Sequence, residues 1–163
     1  NLIKNSQHGF GNKKSCLTNL LVFMEKVAEL LNSREPVEVI YLDFQKAFDK
    51  VPHKRLIVRL EEIGIKGKLL SWIKEWLNGR KQRVVINGKA SQWKEVDSGV
   101  PQGSILGPLL FIIFINGIDD GIVSDILNFA DNTKIFGKAG TRDSVIKLRA
   151  DLQICAIGQT SGR

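Results

Sequence analysis

The sequence predicts an α+β domain in which helices back an antiparallel sheet. Three observations lead there. Apolar residues recur at helical spacing in several segments. The strand-like runs are mostly joined in pairs by tight turns. The chain has 163 residues, 43% apolar and 25% charged, which is enough for one domain with a real core. The helices are expected on one face of the sheet.

Taken in order, residues 16–31 place Leu17, Leu20, Leu21, Met24, Val27, Ala28 and Leu31 at helical spacing, an amphipathic helix. Pro36 resets the chain, and residues 37–42 read as a buried strand ending at Asp43. Val51-Pro52 starts a helix near His53 that Gly64 ends, and residues 66–77 form a second, with Leu69, Ile73, Trp76 and Leu77 on one side. Residues 82–86 and 91–96 flank Asn87-Gly88, a pair suited to a hairpin turn because both residues tolerate positive φ. Residues 104–116 are apolar nearly all round and read as a buried helix. Residues 125–130 and 133–136 are expected as strands joined by a tight turn at Asp131-Asn132. Residues 141–156 form a last helix with Val145, Leu148 and Leu152 inward.

The net charge is +7, from 24 Lys and Arg against 17 Asp and Glu, with a pI near 9.5. A basic chain suits a polyanion, nucleic acid ahead of an anionic membrane. Cys16 and Cys155 form no CxxC and have no nearby histidine, which argues against a zinc site. Two cysteines make no disulfide framework, so a reducing cytosolic or nuclear setting is expected. The longest apolar run, residues 109–115, is too short for a bilayer, which takes about 20 residues. The first residues lack the apolar core of a signal peptide, and the absence of an initial Met fits a piece of something longer.

Two acids stand out. Asp43 ends one apolar strand, and Asp131 follows the apolar run Ile126-Leu127-Asn128-Phe129-Ala130. Singly, the first reads as a strand-end or helix-cap residue and the second as a turn former. If the two strands are neighbours, the carboxylates converge and a pair of hard divalent cations satisfies both. Between them lies Ser98-Gly99-Val100-Pro101-Gln102-Gly103-Ser104-Ile105-Leu106-Gly107-Pro108, a Gly/Pro-punctuated loop running into the buried helix.

Leu42-Asp43-Phe44-Gln45-Lys46-Ala47-Phe48-Asp49-Lys50-Val51, that loop, and Phe129-Ala130-Asp131-Asn132 resemble three successive motifs of the reverse transcriptases of non-LTR retrotransposons, with the jockey-like, chicken-repeat branch most alike. Gln7-His8-Gly9-Phe10 resembles the end of the preceding fingers motif, and Trp72 to Arg80 with the following hairpin is also typical. The resemblance implies a polymerase palm at 36–156, partial fingers at 1–35 and a tail at 157–163, with the rest of the fingers before Asn1 and the thumb after Arg163. It implies RNA-directed DNA polymerisation of dNTPs onto a DNA primer along an RNA template, with two Mg²⁺ ions (or Mn²⁺) and no membrane. Asp43 and Asp131, with the main-chain carbonyl of Phe44, are the implied metal ligands. Phe48 is the implied steric gate that rejects a 2′-hydroxyl; on residues alone it is a core aromatic. Gln102 is implied to touch the incoming nucleotide or template base, with Gly99, Pro101 and Gly103 letting the backbone come close.

The departure from the family pattern is Asn132, where a second acid is usual. Asn is nearly isosteric and keeps a carbonyl acceptor but removes a negative charge, so weaker Mg²⁺ binding is expected. A catalytically degenerate relic that retains only nucleic-acid binding is the alternative. Arg80, Lys81 and Arg83 are candidates for phosphate contact, or a solvated charge run. Lys134 is a candidate for the primer backbone, or an ordinary strand lysine. His8 and His53 are expected to be structural, and Trp72, Trp76 and Trp93 to pack in the core rather than stack on bases.

Overall fold

The computed structural model describes residues 3–161. The elements follow as α1 (Cys16–Asn32), β1 (Val37–Asp43), a 3₁₀ turn (Phe48–Lys50), α2 (His53–Glu62), α3 (Gly67–Leu77), β2 (Lys81–Gln82), β3 (Val85–Ile86), β4 (Lys89–Ala90), β5 (Lys94–Glu95), α4 (Leu106–Ile115), β6 (Asp125–Phe129), β7 (Asn132–Lys138) and α5 (Arg142–Ser161). They form two units: a sheet unit of residues 1–45 and 115–163, and a helical unit of residues 46–114.

In the sheet unit β7 is central, antiparallel to β1 on one side and to β6 on the other. Strand side chains alternate between faces, and this alternation sorts the core. Phe136 and Leu127 pack with Phe23 of α1, helped by Val39. Ile135, one residue along, packs with Leu148 and Cys155 of α5, helped by Leu42 and Ile126. The sheet is therefore covered on both faces, not on one as expected. A central strand apolar on both sides needs cover on both sides.

Helix α1 begins at a reciprocal cap, in which Ser15 Oγ accepts from Thr18 N and Thr18 Oγ1 accepts from Ser15 N. Its buried positions are Asn19 and Phe23, while Leu17, Leu20, Leu21, Met24 and Leu31 are exposed. The leucine stripe that marks the helix is thus not the face that meets the sheet. Helix α5 continues to Ser161, past the expected end near residue 156, and buries Leu148, Asp151 and Cys155. The Asp151 carboxylate accepts from the Val123 and Ser124 amides just before β6.

In the helical unit α2 packs against α3, burying Leu56, Leu60, Ile73 and Leu77. Helix α4 buries Leu110, Phe111, Ile112 and Ile113, as its continuous apolar run requires. Asn87 and Gly88, at φ +49° and +77°, turn the β3–β4 hairpin. Trp72 and Trp93 are 52% and 59% exposed, which corrects the expectation that they lie in the core. The Trp72 ring stacks on Trp76, and the Arg83 guanidinium lies over Trp93. Among the described residues no helix is long and apolar enough to cross a membrane.

Candidate active site

Strand β1 delivers Asp43 to the end of the sheet where β6 turns into β7. Asp43 is the cross-strand partner of Asn132, and Asn132 is in turn the partner of Phe129. The turn is therefore Ala130-Asp131, one residue earlier than the sequence suggested, and Asn132 opens β7. Pairing on both sides commits the Asn132 backbone to the sheet, and Ala130 makes the bend at φ +53°. Cross-strand partners have Cα atoms about 4.5–5.5 Å apart, and neighbours along the chain about 3.8 Å. Asp43 and Asp131 are one cross-strand step and one chain step apart, so the register keeps their Cα atoms within about 9 Å. Asp43 and Asn132 share the sheet face that bears Phe136, since partners point the same way and alternate residues return to it. A cavity of about 320 Å³ opens beside them, lined by Asp43, Asn132, Phe129 and Lys134 among others.

Four acids elsewhere in the unit carry a cation. Asp119 and Asp120 pair with Lys4, Asp125 with Lys26, and Glu35 with Lys138. Among the described residues neither Asp43 nor Asp131 is ion-paired. Lys134 shares their strand end, but its ammonium donates to Asn19 Oδ1 at 2.8 Å and lies 5.0 Å from the centre of the Phe23 ring.

Sequence reasoning missed what holds the turn. Gln7 bridges to Asn128 of β6. The His8 amide donates to Asn128 O, and the Asn128 amide to Ser6 O, both at 2.8 Å. Asn19 Nδ2 donates to the same Asn128 carbonyl, and Thr133 Oγ1 donates to Asn128 Oδ1. Gln7, His8, Asn19, Asn128 and Thr133 are all buried, so these bonds replace water that cannot reach them. Burial lowers the His8 pKa, and the nearby Lys14 and Lys134 charges add to the effect. The only sequence signal for this network was the Gln7–Phe10 motif.

The other candidates lie in the helical unit. Ser98 Oγ donates to Asp49 O, Gly99 N to Val51 O and Val100 N to Phe48 O, each at 2.8 Å. These bonds pin the start of the loop to the segment carrying Phe48. Gly99, at φ +86°, passes so close that a Cβ there would lie 2.7 Å from Asp49 Cα. Its carbonyl accepts from His53 Nε2 and from Arg80 Nη2, so both side chains brace the loop. Arg80 also donates to Leu77 O, and burial lowers its pKa. Phe48 stacks on Phe111 with ring centres 4.3 Å apart. Beyond the braced part, Pro101 is half-buried and Gln102 and Gly103 are exposed. Lys81 lies 4.0 Å from Glu95 across the β2–β5 pair.

The structure thus brings Asp43, Phe44, Asp131, Asn132 and Lys134 together in one unit. Phe48, Arg80, Lys81, Arg83, Pro101, Gln102 and Gly103 belong to the other. Among the described residues no three His, Cys, Asp or Glu side chains gather as a metal cage. The side-chain oxygens that the end of β1 and the turn offer are the Asp43 and Asp131 carboxylates and the Asn132 amide oxygen. This all-oxygen set fits Mg²⁺, which is held by one or two carboxylates together with substrate phosphates and water rather than by a complete protein cage.

Comparison with known proteins bears on the same residues. The family model "Reverse transcriptase (RNA-dependent DNA polymerase)" matches residues 1–156, and that family is generally dependent on divalent metal. The RNA-directed DNA polymerase from mobile element jockey of Drosophila funebris is 34% identical over 120 residues, covering 68% of this chain and 13% of its own length. A probable RNA-directed DNA polymerase from transposon X-element of Drosophila melanogaster is 30% identical, covering 72% of this chain and 13% of its own. The chain therefore spans about an eighth of these relatives. An apo telomerase from Candida tropicalis, truncated from its C-terminal domain, shares the fold at a TM-score of 0.60 and 12% identity, over 91% of this chain and 32% of that one. The chain belongs to the reverse transcriptase family, among relatives that are jockey-like and other non-LTR retrotransposon RNA-directed DNA polymerases.

Proposed function

We propose that the chain is the nucleotidyl-transfer segment of an RNA-directed DNA polymerase, extending a DNA primer with dNTPs along an RNA template. The observation that carries this is the β1–β7 register, which sets Asp43 against Asn132 beside Asp131. In the reaction the primer 3′-oxygen bonds to the α-phosphorus of a dNTP, the bond from that phosphorus to pyrophosphate breaks, and the hydroxyl proton passes to water. Asp43, Asp131 and the Phe44 carbonyl would hold Mg²⁺, two ions in the full assembly or Mn²⁺ in their place. When bound, the metal neutralises phosphate charge and favours the deprotonated primer hydroxyl. Unpaired carboxylates suit this role, because a resident cation would compete with the metal.

The remaining roles fall to the chain's own groups. Phe48, backed by Phe111, would present its ring under the sugar and exclude a 2′-hydroxyl. Pro101, Gln102 and Gly103 would meet the nucleotide or template base on a loop whose base is braced by Arg80 and His53. Lys81 and Arg83 would contact template or primer phosphates, Arg80 chiefly through the loop, and Lys134 would approach the primer backbone.

Asn132 favours a second reading, a relic that binds nucleic acid without polymerising. Primer extension on an RNA template, in the chain completed with the flanking regions of its jockey relative, separates the two. Product from the Asn132 protein supports the polymerase. Product only from Asn132→Asp makes this copy the relic. No product from either overturns the polymerase reading.

A further inference from the structure

Ala130 adopts a left-handed backbone at φ +53°, a conformation that strains any residue but glycine. Such strain persists only where the surroundings over-determine it. Here one side chain does so. Gln7 is 4% exposed. Its Oε1 accepts from Ala130 N at 2.9 Å and from Gly9 N at 2.7 Å, and its Nε2 donates to Ala130 O at 3.4 Å. A single amide therefore brackets both main-chain polar groups of the bent residue. Gly9 completes the clamp: a Cβ there would lie 2.3 Å from Ala130 N, so only glycine lets the 7–9 segment lie on the turn.

From this we infer that Gln7 is a positioning residue for Asp131. It acts from over 120 positions away in sequence, fixing the backbone immediately before the carboxylate. The inference rests on Asp131 being a metal-holding acid, as proposed above. Without the clamp, Ala130 relaxes to negative φ and the following carboxylate is re-aimed. Gln7→Glu is as informative as Gln7→Ala, since it keeps the acceptor for the Ala130 amide but turns the donor into an oxygen facing the Ala130 carbonyl.

Amide exchange, kinetics, binding and rescue test this. In the chain itself, the Ala130 amide exchanges slowly with solvent and becomes fast in Gln7→Ala. In the chain completed with its jockey relative's flanking regions, Gln7→Ala and Gln7→Glu lower kcat and metal affinity by about 10–100-fold, the usual range for a residue that orients a metal ligand. The affinity for the RNA–primer duplex stays within about twofold, because the side chains proposed to meet it, Lys81, Arg83 and Lys134, lie outside the turn. Adding Ala130→Gly to Gln7→Ala restores part of kcat, because glycine holds the left-handed bend unaided.

Unchanged Ala130 exchange in Gln7→Ala overturns the clamp. Loss of activity in proportion to a fall in Tm and in RNA affinity, with no rescue by Ala130→Gly, reduces Gln7 to a folding residue and overturns the positioning role. If neither the parent nor Asn132→Asp extends a primer, the polymerase reading is what fails. The clamp is then judged by Ala130 exchange and by Mn²⁺ affinity: Gln7→Ala weakens that affinity if the inference holds and leaves it unchanged if it does not.

Discussion

The sheet unit and the helical unit carry charge in opposite ways. Residues 46–114 hold 13 of the 24 Lys and Arg but only six of the 17 Asp and Glu, so they bear the whole net +7. In the sheet unit the remaining eleven basic and eleven acidic residues cancel. There, lysines 4, 26 and 138 are matched to acids, while the two acids at the turn are left out of the pairing. With no cation on either carboxylate among the described residues, Asp43 and Asp131 leave their strand end open to positive charge, as the proposed metal role requires. The helical unit keeps its surplus of cations, as a polyanion-binding surface does. Chemistry and affinity should therefore separate by unit.

The largest effect tests the sheet side. Asp43→Ala in the completed polymerase should lower nucleotide addition by about 10³-fold or more, the scale lost when a major electrostatic stabiliser of a transition state is removed. RNA affinity, measured by fluorescence anisotropy, should hardly change. A variant that keeps its rate, or loses rate and affinity together, breaks the division. The converse test is Lys81→Ser with Arg83→Ser. If each side chain meets one phosphate, affinity falls about equally for all sequences and the slope of log K against log salt flattens by about two, at roughly one per contact, with kcat retained. An unchanged slope returns both residues to the solvated surface.

What the sequence made legible follows the same division. Elements set by local pattern were readable: the helix starting at Cys16, the strand ending at Asp43, the Asn87-Gly88 turn and the buried run of α4. Where a distant partner decides, local pattern misled. The leucines of α1 look like its inner face, yet Phe23 and Asn19 are buried because the sheet presents Phe136 and the Asn128 carbonyl to them. Asp131-Asn132 looks like the turn, but cross-strand pairing claims Asn132 and pushes the bend back onto Ala130. Trp72 and Trp93 look like core on hydrophobicity alone, although a stacked indole and a guanidinium satisfy their faces at the surface. That Asp43 would lie beside the β6–β7 turn was legible because motif order carries long-range information. Gln7 was not, since nothing within a window around it reveals that its amide meets Ala130.

Stability should also divide. In the helical unit, Gly99→Ala combines φ +86° with a Cβ 2.7 Å from Asp49 backbone atoms that have no freedom to move aside. Strain and overpacking together predict a loss of roughly 2–4 kcal/mol in chemical denaturation. Wild-type stability would show that the loop is not braced against Asp49. In the sheet unit the corresponding weak point is titratable. The folded protein holds His8 below the ordinary 6.5, first by burial and then by Lys14 and Lys134. The unfolded chain therefore takes up the His8 proton first as pH falls, and stability drops from pH 6.5 down through the folded-state value, then levels off. Unfolding midpoints across that range should show the drop in the parent and lose it in His8→Gln, whose amide retains a partner for Thr18 Oγ1. An identical pH profile in both would place the charge effect elsewhere.

The smallest effect concerns the two thiols, which sit in contrasting surroundings within the sheet unit. Cys155 is fully buried against Ile118 and Leu148, and burial, with the Asp119 and Asp151 charges, pushes its pKa up to about 11. A thiol reacts as the thiolate, so at neutral pH Cys155 is both shielded and almost wholly protonated. Cys16 is exposed at the first turn of α1. A maleimide should therefore label one site per native chain, at Cys16, and a second only after unfolding, as mass spectrometry would show. Because Cys155 and Ile135 belong to the same cluster under the sheet, its rate of late labelling also reports how often that side of the sheet unit opens. If Gln7→Ala accelerated Cys155 labelling as much as Ala130 exchange, the clamp would stabilise the whole unit. If only the Ala130 amide responds, its action is confined to the turn that carries Asp131.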